Sequence, residues 1–180
     1  MRASASSRAS CVTAPRSTAR RSHPAQARER IARLYRPYHE ALARLIEETR
    51  RQFGVAILID CHSMPSAVSV PDVVLGNRFG ASACASLTNL AETSLRDVGF
   101  SVARNAPYAG GYTTLLHGQR DSAVHALQIE LNRSLYLDEE RIELKADFGA
   151  IQSRLTEALA RLVKVDIAAL GSAQQTLAAE

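Results

Sequence analysis

A chain of 180 residues with 46% hydrophobic content holds enough apolar material for one good core and hardly for two, so a single domain is expected. Tryptophan is absent and aromatics are only 5%, which makes that core aliphatic and suits helices layered on a sheet. The net charge of +4 is exceeded by five arginines in the acid-free first 22 residues (Arg2, Arg8, Arg16, Arg20 and Arg21), and the nearly neutral remainder shows no basic face with interleaved aromatics, which argues against a nucleic-acid partner.

Residues 1–25, rich in Ser, Ala and Arg, read as a disordered or mistranslated tail with no apolar stretch of signal-peptide type. No segment has the apolar length to span a bilayer, so no membrane partner is expected. Cys11, Cys61 and Cys84 are too few and too irregular for a disulfide framework or zinc knuckle, which suggests a reducing, cytoplasmic setting.

The body of the domain is assigned to residues 26–168, with a frayed C-terminus over 169–180. Across residues 26–53, Ile31, Leu34, Tyr35, Tyr38, Leu42, Leu45 and Ile46 recur at helical intervals, with a break or restart at Pro37 and a stop at Gly54. The apolar run Val55 to Ile59 reads as a buried strand that delivers Asp60, His62 and Ser63 to its C-terminal mouth, where open α/β sheets place their chemistry. His62 there is a metal ligand, an acid/base group or a turn histidine tied to its own loop, and Cys61 beside it is expected as a small buried apolar group. A short strand ending at Gly76 and a shaped loop, Asn77 to Gly80, lead into a helix over 82–98, and a strand starts at Phe100.

Residues 105–114 are too glycine-rich for a regular element: they form a ligand-binding loop in which Tyr108 and Tyr112 offer hydroxyls, or an ordinary connection. Residues 122–136 alternate as a strand whose one face carries Val124, Ala126, Gln128, Glu130 and Asn132. A carboxylate there is a catalytic base or is paired structurally, with Arg133 as the partner at hand. A last helix runs from Asp147. Gly-rich phosphate loops, a nucleophile elbow and a Cys-X-X-Cys pair are absent, which removes several enzyme classes.

Five ordered blocks carry a family resemblance: Tyr35–His39, Asp60–Ser66, Asp72–Gly80, Asn105–Tyr112 and His125–Tyr136. Over about residues 27–165 the chain resembles the N-formylglutamate amidohydrolases. The resemblance implies an α/β fold with a three-layer mixed sheet and helices on both faces, similar to the zinc carboxypeptidases and incomplete at the N-terminus. It further implies zinc as cofactor and a small-molecule substrate, N-formylglutamate or a related N-acyl amino acid, cleaved to glutamate and formate in histidine degradation. By the matching blocks, His62 is implied as a zinc ligand and Glu130 as the general base, with Arg78, Asn105, Tyr108, Tyr112 and Arg133 candidates to hold the substrate. The family's earlier His and Glu ligands have no match upstream, since neither His23 nor His39 fits them; the alternative expectation is a truncated, non-catalytic remnant or binding module.

Overall fold

The computed structural model describes residues 24–66 and 70–171. Residues 1–23 of the basic tail, with Cys11 and His23, lie outside them, as do residues 67–69 and 172–180. The chain groups into two compact units, residues 1–39 and 40–180.

In the first unit, helix α1 (Pro24–Arg30) runs into a π-helical turn, Ile31–Tyr35, and then into the start of α2 (Arg36–Phe53). The widened turn falls just ahead of Pro37, which has no N–H to continue an α-helical ladder, so the expected restart takes this form. The Tyr35 and His39 rings meet at 4.4 Å, while Leu34 and Tyr38 remain exposed.

In the second unit, α2 ends at Gly54, whose φ of 80° lets its N–H turn back to the Arg50 carbonyl at 2.8 Å. Strand β1 (Ala56–Met64) follows, then β2 (Val73–Gly76), α3 (Ala85–Asp97), β3 (Val102–Arg104), α4 (Tyr112–His117) and β4 (Val124–Asn132). A two-stranded ribbon of β5 (Leu137–Asp138) and β6 (Glu143–Leu144), helix α5 (Phe148–Leu162) and a short α6 (Ala168–Gly171) complete the unit.

The main sheet has the order β1-β4-β2-β3. β1 is parallel to β4, β4 antiparallel to β2, and β2 parallel to β3, so the fold is mixed α/β as expected. Period-two alternation sends Val73, Leu75, Leu127 and Ile129 to one face, where Leu87, Ala91 and Leu95 of α3 and Ile151, Ala158 and Leu162 of α5 close an aliphatic core. The opposite face carries Ala126, Gln128 and Glu130, with α4 laid against β4.

Several elements depart from the sequence expectations. β1 reaches Met64, so Asp60, His62 and Ser63 sit within the strand and not beyond it. The parallel pairing with β4 over nine residues supplies the extra hydrogen bonds. Tyr112 opens a helix where an irregular segment was expected, because the glycines end at Gly111. Leu170, within the stretch expected to fray from residue 169, is buried in the core. Cys61 is exposed, because β1 is an edge strand; with Phe53, Ile57, Ile59 and Leu162 it lines an open apolar groove of about 650 Å³.

Candidate active site

Register builds the site. In the parallel β1–β4 pair, Asp60 lies opposite Gln128 and His62 opposite Glu130, so two neighbouring strands put four polar side chains on one face. His62 Nε2 stands 3.1 Å from Asp60 Oδ1, and its Nδ1 stands 3.9 Å from Glu130 Oε1, which sets the imidazole between two carboxylates. Glu130 and Gln128 are buried, whereas the His62 side chain is 46% exposed and faces solvent. Asp60 Oδ2 is buried and finds no hydrogen-bond partner among the described residues, an acceptor that a ligand's donor group can satisfy.

The Gln128 amide donates to Glu130 Oε1 at 2.7 Å and accepts from the Gly111 N–H at 2.6 Å. Burial of the carboxylate is thereby compensated by a hydrogen bond, with the His62 imidazole 3.9 Å away. Arg133, one candidate for a structural partner of Glu130, turns instead to β1: Nε donates to Ser63 Oγ at 3.1 Å and Nη2 to the Ser63 carbonyl at 3.2 Å. It clamps the C-terminal ends of the two strands that carry the site.

The glycine loop is seated by close backbone contact. A Cβ on Gly76 would lie 2.6 Å from Gly110 N, so only glycine lets residues 109–111 rest on β2. Arg78 fastens that loop twice: its N–H donates to the Ala109 carbonyl at 2.7 Å and its Nη1 to the Gly110 carbonyl at 3.2 Å. Asn105 is a frame residue. Its Oδ1 accepts from the N–H groups of Asn77 and Phe79 and its Nδ2 donates to Asn77 Oδ1, which supports the left-handed backbone at Arg78, Phe79 and Asn105 itself. Tyr108 on this loop and Tyr112 at the start of α4 are exposed.

The residues present do not fit a three-ligand zinc centre. Among the described residues no group of three His, Cys, Asp or Glu side chains converges to hold a metal, and the single imidazole at the site has its Nε2 directed at Asp60. Gln128 and Gly76 were not singled out as site residues from the sequence. The signal for Gln128 was available, since it lies two residues before Glu130 on the same strand face.

Sheet and site together define the class, a mixed α/β protein with a carboxylate–imidazole cluster toward the carboxyl ends of two parallel strands. The family model described as N-formylglutamate amidohydrolase matches residues 5–137. An N-formylglutamate deformylase of Pseudomonas aeruginosa is 33% identical over 141 residues, covering 72% of this chain and 53% of its own. One from Pseudomonas putida is 34% identical over 116 residues, 61% of this chain and 43% of its own. The crystal structure of an N-formylglutamate amidohydrolase from Ralstonia eutropha superposes with a TM-score of 0.69 at 35% identity, covering 78% of this chain and 53% of that one. The chain belongs to the N-formylglutamate amidohydrolase family, and it spans about half the length of the relatives it matches. None of its described helices is long and apolar enough to cross a membrane.

Proposed function

We propose that this chain carries the general-base half of a site that hydrolyses the formyl amide of N-formylglutamate. The observation that supports it is a buried glutamate on β4, held by Gln128 and facing His62 across 3.9 Å. That gap is too long for a direct hydrogen bond and suits a shared water or substrate oxygen.

In the reaction, Glu130 takes a proton from water, the water oxygen bonds to the formyl carbon, and the C–N bond breaks. The proton passes to the leaving nitrogen, giving formate and glutamate. Asp60 holds the His62 ring in place beside the reacting group. Arg78 and Arg133 have N–H groups beyond those bound to Gly110 and Ser63, and these suit the two carboxylates of the substrate.

A second reading, a binding module for the same N-acyl amino acids without turnover, is favoured by the lack of three converging metal-ligating side chains among the described residues. The two separate on formate release from N-formylglutamate by the whole chain, measured with and without added zinc beside N-formylnorvaline, which lacks the side-chain carboxylate. Turnover of N-formylglutamate at least tenfold faster than of N-formylnorvaline supports hydrolysis with carboxylate recognition. Saturable binding of N-formylglutamate without formate supports the module. Turnover only with zinc would place His62 in a metal centre with donors beyond the described residues.

A further inference from the structure

We infer that Gln128 is a positioning residue that couples the seating of the Gly110–Gly111 loop to the aim of the Glu130 carboxylate. The inference deepens the hydrolytic reading above and depends on it for its kinetic consequence.

Gln128 is 3% exposed and both ends of its amide are engaged. The orientation of that amide follows from its partners. The Gly111 N–H can only donate, so the carbonyl end must face it, and the NH₂ end is left to face Glu130 Oε1. One planar group therefore links a loop backbone to a carboxylate at contacts of 2.6 and 2.7 Å, with no freedom to turn without breaking both.

The loop end of the link is rigidly referenced. Gly110 and Ala109 press on Gly76 of β2, and the Arg78 backbone and guanidinium hold both their carbonyls. A Cβ at Gly111 would stand 3.1 Å from Gln128 Oε1, so the loop lies directly over the amide. Arg78 is thereby connected to Glu130 through four groups: its own guanidinium, the Gly110–Gly111 backbone, the Gln128 amide and the carboxylate. A substrate carboxylate drawn to Arg78 pulls on the same loop that sets the direction of the base. Substrate engagement and base alignment become one event, and a ligand that leaves the loop unseated meets a misaimed base.

Gln128→Met keeps the volume and removes both hydrogen bonds, and Glu130→Leu removes the carboxylate end alone. In the whole chain, Gln128→Met should lower kcat for N-formylglutamate by about 10–100-fold, the range found for supporting-shell residues, with KM changed less than about threefold. Amide exchange at Gly111, read by NMR in the absence of substrate, should accelerate at least tenfold in Gln128→Met and also measurably in Glu130→Leu, because Gln128 loses its anchor. Melting temperatures of both variants identify any general loss of folding. An unchanged kcat in Gln128→Met overturns the positioning role, and so does Gly111 exchange that responds to neither variant. A wild-type chain that releases no formate overturns the hydrolytic reading alone; Gly111 exchange then decides the coupling by itself.

Discussion

Gly76→Ala tests whether the loop rests on β2 as tightly as the distances say. The new Cβ would stand 2.6 Å from Gly110 N and 2.8 Å from Ala109 C and Gly110 Cα, all of them backbone atoms that no rotamer change can move. Reaching ordinary contact at 3.4 Å requires a displacement of about 0.8 Å, taken as 3.4 minus 2.6. Such a shift stretches the Arg78 N–H bond to Ala109, now 2.7 Å, and the Gly111 N–H bond to Gln128, now 2.6 Å. Overpacking costs about 1–3 kcal/mol and each lost hydrogen bond about 0.5–1.5 kcal/mol, so the variant should lose about 2–6 kcal/mol of stability. With an m-value of about 2 kcal/mol/M, the urea midpoint falls by about 1–3 M. Urea titration followed by far-ultraviolet circular dichroism measures this directly. A midpoint within about 0.25 M of wild type, equivalent to about 0.5 kcal/mol, would refute the close seating and the coupling built on it.

Two further outcomes follow from the fold. His125 is fully buried on β4, and that burial holds its imidazole below the ordinary value of 6.5, with Arg120 also lowering it and the Leu170 main chain opposing. The unfolded chain therefore takes up a proton first: the histidine's contribution is complete above about pH 6.5 and is lost as the pH falls below that value. His125→Leu should flatten the decline in unfolding free energy between pH 7.5 and 5, and a variant with the wild-type slope would sink this account. Gly149, near the start of α5, has nothing within 4 Å of where a Cβ would be and no left-handed φ. Gly149→Ala should stabilise by about 0.5–1 kcal/mol from helix propensity, read as a raised urea midpoint; a loss of stability would contradict the open space.

What could be read from the sequence divides along physical lines. β1 and β4 were legible because an apolar run and a period-two pattern are local signals. Glu130 and His62 were each singled out from such signals, and the resemblance gave them roles. Their facing register is not local: it joins residues 68 positions apart through a parallel pairing that only the folded sheet fixes. Of the two explanations open for Glu130, pairing with Arg133 is not the one seen, for a related reason: a long side chain at a strand end has several partners within reach, and Arg133 bonds Ser63 on the neighbouring strand. The stripe on α2 shows the limit of amphipathic spacing, which fixes a helix and not what covers its face; none of its residues is buried. Cys61 was misjudged because burial of a strand depends on whether another strand flanks it, and β1 lies at the edge.

The role proposed for Glu130, held by Gln128 and set opposite His62, is to take the proton in formyl-amide hydrolysis. Formate release from N-formylglutamate by wild type and Glu130→Gln, assayed at equal concentration with equal melting temperatures, tests it most directly. A general base at this position requires a drop of at least 100-fold in kcat for Glu130→Gln, with binding of N-formylglutamate retained. A Glu130→Gln chain that turns over within about threefold of wild type would contradict it.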